Sequence, residues 1–550
     1  MYKKTNKIKN FENFFIILIF ILYFFIGSQI YADYGFYIDE KFHRTNGFYW
    51  LNFISDFLGF ENLKEISKAK LDQIQGFTLS EIKKWNQYGI IFDLPAAYLE
   101  IFFNLNEPVK YFQLRHFLVF SIFFSGSIYF YKILFNRFNN KLISLLGFIL
   151  LILTPRIFGD AFWNNKDIIF LSFYVISIYF YFKFIDLPTY KNLILFSLFA
   201  AIATSMRIAG IFLPFSFLLF YFFDLISRKN KIGINFIFVL LTSYIFFLTI
   251  SWPLLWVEWP TSLFSILNLD MSWGGQVHFL GEYYRSQYLP QYYLIFWILV
   301  STPVLHIILF FHGFINYSKR LVMRYFKIEK ISFYSDLWRS RAEKKDFFIF
   351  LNLVLFICAL SFLNIDLYNS WRLGYFIYIF IIYFSTYSIY LIFKIKSEHF
   401  FKKLIILLIL ICFLIFRNYL YHPYQSVYFN FLVPEKIKNN LDVDYTGLSG
   451  IAFLKEIIKK EPGEYEIKIG INSWYPLWRM VELLDKKDQT RIKILKHDKR
   501  GEADYLYSNR IYDVDKRYYK KYDIPVEFEK IKEFKIDKTI IYEMYKKFKR

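Results

Sequence analysis

The side chains best suited to chemistry follow directly after the first long apolar segment of the sequence. That segment covers residues 14–32, and the polar stretch 37–47 behind it contains Asp39, Glu40 and His43. Ionisable groups at membrane depth cost free energy and tend to mark a substrate pathway or an active site. A carboxylate there can act as a general base toward a hydroxyl group. The alternative interpretation is a pair of ordinary solvated loop carboxylates.

Further ionisable residues occur on or near other loops that we expect on the same side of a membrane. The candidates for binding an anionic substrate there are Arg156, Asp160, Lys166, Arg207, His278 and Arg372. Arginine and lysine at helix ends suit a phosphate group. Arg156 and Arg207 are also explained by snorkelling, and a carboxylate at a helix start by the helix dipole. A divalent metal with Glu40, His43 and His278 as ligands is conceivable, although loop histidines serve many structural purposes.

The composition indicates a protein that crosses a membrane many times. Hydrophobic residues make up 56% of the 550 residues and the mean hydropathy is +0.30. The apolar residues form runs of about 20, the length that crosses a bilayer, so a soluble fold is excluded. The net charge of +21 lies mainly in short links between these runs. That pattern is the positive-inside signal and not a nucleic-acid surface.

About eleven transmembrane helices are predicted. They cover residues 14–32, 114–135, 142–153, 168–184, 193–205, 208–226, 234–255, 292–311, 347–363, 375–393 and 404–419. The lysine-rich N-terminus is expected in the cytoplasm. The first loop, 33–113, and the second large loop, 256–290, then lie on the extracytoplasmic side. The first loop has apolar residues at helical spacing over 53–66, which predicts an amphipathic helix on the membrane surface.

The last part of the chain differs from the rest. Residues 1–420 are predicted to form the transmembrane domain, and residues 421–550, here called the tail, a small extracytoplasmic α/β domain. Strands are expected at 466–471, 491–495 and 539–542 and a helix at 477–484, because the apolar period changes between these segments. An odd number of spans places the tail opposite the N-terminus.

No P-loop, G-x-S-x-G or H-E-x-x-H motif occurs in the sequence. Nucleotide sugars and ATP are confined to the cytoplasm, so an extracytoplasmic transferase needs a lipid-linked donor. The phosphate of such a donor would lie at the membrane interface, beside the cations described above.

The sequence resembles the GT-C membrane glycosyltransferases, in particular glycosyltransferase family 39. That family includes protein O-mannosyltransferases and the aminoarabinose transferases that modify lipid A. The likeness rests on the Asp39–Glu40 pair after the first span and on the stretches PRIFGDAF at 155–162 and NKD at 165–167. The stretches LPQYY at 289–293, STP at 301–303 and HPYQSVYFN at 422–430 are similar to those of uncharacterised bacterial relatives.

The resemblance implies a polyprenyl-phosphate-linked sugar as donor and inversion at the anomeric carbon. It also implies Asp39 as the general base with Glu40 in support, and Arg156, more loosely Arg207, at the donor phosphate. Some members of the superfamily use a divalent metal and others do not. The stretch 369–373 departs from the family, which has a glycine in place of Ser370 and a histidine in place of Leu373. The tail is not a β-trefoil, which argues against a protein acceptor.

The leading hypothesis is a glycosyltransferase of the bacterial inner membrane with a periplasmic active site. Its partners would be the lipid-linked sugar, the bilayer and an acceptor lipid, glycan or protein. The alternative is a transporter or flippase of a lipid-linked or anionic envelope precursor, without chemistry. Transporters often have repeated halves, and no convincing repeat is visible. A third hypothesis is a non-catalytic partner in envelope assembly, with the tail as its binding module.

Overall fold

The structure is a computed structural model that describes residues 2–74, 88–226, 232–256, 259–262, 274–326, 338–362, 366–394 and 400–548. Its α-helices are α1 (Tyr2–Ile30), α2 (Glu40–Phe57), α3 (Glu61–Gln73), α4 (Asp93–Phe102), α5 (Pro108–Phe138), α6 (Lys141–Ile152), α7 (Pro155–Asp160), α8 (Asp167–Asp186), α9 (Tyr190–Met206), α10 (Phe212–Ile226), α11 (Ile234–Ser251), α12 (Tyr293–Ser301), α13 (Val304–Phe326), α14 (Arg341–Phe362), α15 (Tyr378–Lys394), α16 (Phe400–Tyr421), α17 (Glu435–Lys438), α18 (Ser449–Lys460), α19 (Trp478–Val481) and α20 (Lys486–Arg491). Its strands are β1 (Gln276–Phe279), β2 (Glu282–Arg285), β3 (Ile467–Ile471), β4 (Ile492–Ile494), β5 (Tyr505–Ser508), β6 (Phe528–Ile536) and β7 (Thr539–Lys547).

The predicted fold class, a helical polytopic membrane protein with a small C-terminal sheet domain, is confirmed. Within the described residues, seven helical segments are long and apolar enough to cross a membrane, or eight if α12 and α13, bent by 119° at their junction, form one span. The predicted count of about eleven also includes α6, α9 and α14. The 12 residues of α6 rise about 18 Å, which is less than the ~30 Å hydrocarbon core.

Two of the membrane-crossing segments form the centre of the helix bundle. In the Arg372–Lys394 and Asp167–Asp186 segments, 78% and 72% of the apolar window is buried inside the protein, against 17% for Glu12–Asp33 and 22% for Ile234–Ser251. The two outer segments are apolar on most faces because their remaining surface meets lipid. The two central segments begin at or next to Arg372 and Lys166, so the best-packed part of the molecule positions these cations.

The first loop folds into α2, α3 and α4. The structure divides the predicted surface helix between α2 and α3, which are joined at Gly59, a residue with φ +74°. Arg44 on α2 forms a buried ion pair with Glu100 on α4, with 2.6 Å between Nη2 and Oε1. This pair joins two helices of the first loop. It fixes the position of α2, whose first residues belong to the polar stretch 37–47.

The tail contains a five-stranded mixed sheet in the order β4-β3-β5-β7-β6. Strand β3 is parallel to β4 and β5, whereas β7 is antiparallel to β5 and β6. The predicted strands correspond to β3, β4 and β7, and the predicted helix contains the short α19. Strands β5 and β6 were not predicted.

The tail packs against the first loop and against the membrane helices. The Tyr475 hydroxyl donates a hydrogen bond of 3.3 Å to the carbonyl of Phe36, and Lys41 pairs with Glu482 at 3.0 Å. On another side, Arg417 of α16 pairs with Asp537 at 2.6 Å. The second loop also contacts the tail, because Phe279 of the β1–β2 hairpin forms a β-bridge with Leu441. These contacts hold the tail against the first loop and against the ends of the helices that lie beside it.

Candidate active site

The ionisable residues after the first span open onto a cavity of about 410 Å³ between the membrane helices and the tail. The cavity walls come from seven separate stretches of the chain. They are the turn before α2 and its first residues (Tyr37, Ile38, Asp39, Phe42, His43), Tyr88 before α4, the residues before α8 and after α9 (Asn164, Asn165, Lys166, Arg207), the loop before α15 (Tyr368, Asn369, Arg372) and the tail (Tyr445, Trp474, Pro476, Arg479).

Asp39 presents a carboxylate to this cavity. It precedes the first residue of α2, and 42% of its side-chain surface is exposed. Its Oδ2 accepts a hydrogen bond from the Tyr37 hydroxyl and lies 3.5 Å from Nη1 of Arg372. Both of these contacts are made by the same oxygen, so Oδ1 remains the oxygen better placed for a ligand.

The surroundings of Asp39 act on its pKa in two directions. Desolvation by the surrounding residues raises the pKa of the Asp39 carboxyl, and the nearby basic side chains of His43, Lys166 and Arg479 partly offset this effect. A carboxylate with a raised pKa binds a proton more readily than an exposed one. Asp39 therefore combines access to the cavity with increased basicity, which a general base requires.

Four basic side chains share the cavity with this one carboxylate. They are Lys166, Arg207, Arg372 and Arg479. Arg207 is paired with Asp167 at 2.6 Å, whereas the Lys166 ammonium lies against the ring of Tyr88. Burial and the nearby Arg207 lower the pKa of Lys166 well below its ordinary value, because the charged form is costly there. Arg207, Arg372 and Arg479 supply positive charge to the cavity, and a bound anion would also favour the charged form of Lys166.

Glu40 and His43 differ from Asp39 in what they contact. Glu40 is 1% exposed, accepts a 2.8 Å hydrogen bond from the backbone N–H of Tyr37, and lies 2.9 Å from Nε2 of His116. His43 lines the cavity, and its Nδ1 lies 3.1 Å from Asp93. Glu40 does not line the cavity. The catalytic role predicted for it therefore stays a prediction, while its contacts shape the turn that presents Asp39.

Three other predicted site residues lie outside the cavity lining. Arg156 is completely buried, donates to the carbonyl of Tyr428 at 3.2 Å and to the Ser370 hydroxyl at 3.0 Å, and lies over the ring of Trp297. It thus joins the start of the tail to the loop that carries Arg372. Asp160 is also completely buried, and desolvation raises its pKa to about 8.

The third of these residues, His278, lies on β1. Its backbone N–H donates to Asp442 at 2.9 Å, and its ring stacks on Tyr283 with 4.8 Å between the centroids. Burial and the nearby Arg510 lower the pKa of the imidazole to about 4. The structure does not bring His278 into the same cavity as His43. In the described part of the chain, no group of three or more histidine, cysteine, aspartate or glutamate side chains is arranged to hold a metal ion.

The sequence analysis did not identify the contribution of the tail to this site. Arg479 donates to the carbonyl of Ile38, and Tyr445, Trp474 and Pro476 complete the wall. One available signal was the position of 472–479 just after the predicted strand 466–471, because ligands of open α/β sheets bind beyond the carboxyl ends of their strands. That signal does not indicate which other part of the protein the tail contacts.

The match to a known protein family covers the middle of the chain. Residues 97–256 match the family described as dolichyl-phosphate-mannose-protein mannosyltransferase. The resemblance to GT-C membrane glycosyltransferases is confirmed. The matched segment is less than a third of the chain and contains Lys166 and Arg207, whereas Asp39 and the tail lie outside it. No curated protein matches the chain.

Solved GT-C structures are distant neighbours. ArnT from Cupriavidus metallidurans bound to undecaprenyl phosphate gives a TM-score of 0.44 at 9% identity, covering 96% of this chain and 97% of that chain. The apo oligosaccharyltransferase of Archaeoglobus fulgidus gives 0.42 at 11% identity, covering 74% of this chain and 56% of that chain. The present chain thus spans little more than half of the archaeal protein. TM-scores below 0.5 give no information about the function of this site.

Proposed function

We propose that the protein transfers a sugar from a polyprenyl-phosphate-linked donor to an acceptor hydroxyl in this cavity. The observation that carries the proposal is that one carboxylate, Asp39, lines the same cavity as four basic side chains. The description of the matched family, which names a dolichyl-phosphate sugar, supports the donor class. A site with cations alone would suit binding or transport, whereas the carboxylate adds a group that can accept a proton.

In the proposed reaction, Asp39 removes the proton from the acceptor hydroxyl. Tyr37 and Arg372 hold Oδ2 of Asp39, so Oδ1 takes the proton. The acceptor oxygen forms a bond to the anomeric carbon while the bond from that carbon to the phosphate oxygen breaks. The products are the glycosylated acceptor, a polyprenyl phosphate and a protonated Asp39. A single displacement of this kind inverts the anomeric centre.

The cations have a defined task in this reaction. The donor phosphodiester carries one negative charge, and the departing phosphate monoester carries up to two. Lys166, Arg207, Arg372 and Arg479 line the cavity and would stabilise the charge that develops on the leaving oxygen. Preorganised charges in a site with little water are effective for this purpose. The acceptor, by contrast, loses its proton to the only carboxylate among the described lining residues.

The proposal includes the side of the membrane. A cytoplasmic lysine-rich N-terminus would place the cavity and the tail on the extracytoplasmic face of a bacterial inner membrane. A reporter enzyme that is active only outside the cytoplasm, fused to the C-terminus of the full chain, should be active in intact cells. An inactive reporter, together with activity of the same reporter fused to the N-terminus, would reverse this orientation.

The test of the reaction replaces Asp39 by Asn. The Asp39→Asn side chain is similar in shape but no longer accepts a proton, so transfer should fall by at least 10²-fold while the amount of folded protein is unchanged. Mass spectrometry of lipid extracts should show a polyprenyl-phosphate sugar that accumulates with the variant, and the mass of that lipid identifies the sugar.

The matched control is Asp33→Asn. Asp33 belongs to the same loop but pairs with His422 at 2.8 Å and does not line the cavity, so transfer should continue. Full activity of Asp39→Asn would exclude Asp39 as the base. An envelope polymer missing in both a deletion strain and the variant, with unchanged lipid profiles, would favour a transporter instead.

A further inference from the structure

A second concavity lies in the tail, next to the cavity that contains Asp39. This tail groove, of about 520 Å³, is formed beyond the carboxyl ends of two parallel strands. Ile471 and Ile494, the last residues of β3 and β4, lie at its base. In open α/β sheets, ligands bind in the crevice outside the carboxyl ends of the strands. The groove therefore occupies the place in the tail where a ligand is expected.

The tail groove continues into the cavity. Trp474 and Pro476 line both concavities. A ligand that extends over several units could thus occupy the groove and still present one end near Asp39. This continuity favours the acceptor, because the lipid chain of the donor must remain in the bilayer.

The walls of the tail groove expose aromatic surface. Trp474 and Trp478 retain 39% and 41% of their surface, although Lys41 and Arg479 also lie over the Trp478 ring, 5.1 and 5.2 Å from its centroid. Tryptophan is highly buried on average in proteins, and exposed pairs of this kind are typical of binding surfaces. Sugar rings present C–H groups on one face, and these pack on flat aromatic rings, while their hydroxyls need hydrogen-bonding partners at the edges.

A buried hydroxyl supplies one such partner. Ser473 lines the tail groove and is 5% exposed, and within the described part of the chain its Oγ has no hydrogen-bond partner. A buried polar group without a hydrogen-bond partner destabilises the protein, and a ligand hydroxyl would supply that partner. The position of this serine is thus an observation independent of the two tryptophans.

The charged residues that line the tail groove indicate which ligands it favours. Its titratable lining residues include Lys496, His497 and Lys521, and none of the described lining residues is acidic. Lys521 pairs with Asp513 at 2.6 Å, whereas no carboxylate of the described residues pairs with Lys496. A site with an available ammonium group and no carboxylate favours a negatively charged ligand.

We propose that the tail groove binds an acidic saccharide portion of the acceptor and guides its hydroxyl toward Asp39. The inference rests on the proposed function, since it assigns the class of acceptor for the same reaction. Trp474 and Trp478 supply the stacking surface, Ser473 a hydrogen bond and Lys496 the charge. The tail is then the part of the enzyme that selects the acceptor.

The experiment uses the full chain in lipid nanodiscs. The donor is the lipid-linked sugar purified from cells that produce the Asp39→Asn variant. Membrane extract from cells that lack the gene supplies the natural acceptor. Trp478→Ala and Lys496→Glu should each raise the amount of extract needed for half-maximal transfer by about tenfold, the effect of removing a strong contact. The maximal rate and the dependence on donor should stay unchanged. Trp478→Phe should restore much of the affinity, since it keeps a ring.

Lys499→Glu is the matched control, because Lys499 is exposed in the same segment as Lys496 and does not line the tail groove. Wild-type half-maximal amounts in both groove variants would overturn the inference. No transfer by the wild-type protein would instead overturn the proposed function and the inference with it. Tetragalacturonic acid should compete with the acceptor, and maltotetraose should not. Equal inhibition by these two probes would overturn the acidic character of the ligand.

Discussion

Asp39 and Glu40 are adjacent carboxylates in the sequence, yet their environments differ sharply. Asp39 precedes the first turn of α2, and 42% of its side-chain surface is exposed. Glu40 belongs to that turn, and only 2% of its side-chain surface is exposed. Successive helical residues point in directions about 100° apart, and here this rotation carries the Glu40 side chain away from the cavity toward His116. One carboxylate is thus available to a ligand, and the other holds His116 and the backbone of Tyr37 in place.

The raised pKa of Asp39 leads to a prediction about the pH dependence of transfer. A general base works only when it is ionised, so activity should fall on acidification through the pKa of Asp39. Because desolvation raises this pKa, the fall should occur at a higher pH than for an exposed aspartate, whose pKa is about 3.9. Arg479 is one of the charges that lower it. The Arg479→Met variant should therefore move the acidic limb of kcat/KM to higher pH.

Lys41→Met is the control for this shift. Lys41 is also a cation at the contact with the tail, but it pairs with Glu482 and does not line the cavity. Its removal should leave the acidic limb where it is. An acidic limb that does not move, or moves to lower pH, in Arg479→Met would contradict the assignment of the limb to Asp39.

At the scale of elements, the first loop depends on a buried charge cluster. Glu100 on α4 is fully buried and accepts three hydrogen bonds from Arg44 on α2, while Arg115 of α5 lies 3.7 Å away. The Glu100→Gln variant would leave two buried guanidinium groups without their counter-charge. Loss of one partner of a buried pair costs about 3 kcal/mol, so the melting temperature of the purified protein should fall markedly.

Glu107→Gln provides the comparison for this variant. Glu107 also forms an ion pair, with Lys110 at 3.2 Å, but both side chains are more than half exposed. Exposed pairs of this kind contribute little, and its melting temperature should match the wild type. Equal melting temperatures for the two variants would mean that the charge cluster does not hold α2 to α4.

The helices could be predicted from the sequence because lipid-facing segments must be apolar along about 20 residues. The strands β5 and β6 were missed for physical reasons. Strand β5 has only four residues, and β6 is an edge strand of the sheet with lysine and glutamate at most positions. Charged residues on an edge protect against aggregation and hide the apolar alternation on which prediction depends.

The candidate site was predictable in part because charged residues stand out beside long apolar runs. Asp39, Lys166, Arg207 and Arg372 interrupt apolar runs and are therefore visible in the sequence. Arg479 is not, because it contacts the carbonyl of Ile38 across a separation of 441 residues. The burial of Arg156 in the protein core is likewise not visible in the local sequence. Contacts of this kind depend on how the tail packs, which local patterns do not record.

At the scale of the whole molecule, the cavity exists only where the tail meets the membrane part, so activity should depend on this contact. Gly447 has φ +70°, and a Cβ at this position would lie 1.8 Å from the Tyr475 ring. Tyr475 is buried and bonds to the carbonyl of Phe36, two residues before Ile38. The Gly447→Ala variant should therefore displace the tail from the first loop and reduce transfer strongly, without touching Asp39.

The Gly59→Ala variant separates this effect from backbone strain. Gly59 has a similar φ of +74°, but nothing lies within 4 Å of its added Cβ. Both variants carry the strain of a left-handed conformation, about 1–2 kcal/mol, and only Gly447→Ala adds the clash with Tyr475. Transfer rates, together with limited proteolysis of the tail, measure the difference. If both variants lose the same activity, backbone strain explains the loss. If only Gly447→Ala loses activity and its tail becomes sensitive to protease, contact between the tail and the first loop is needed to complete the site.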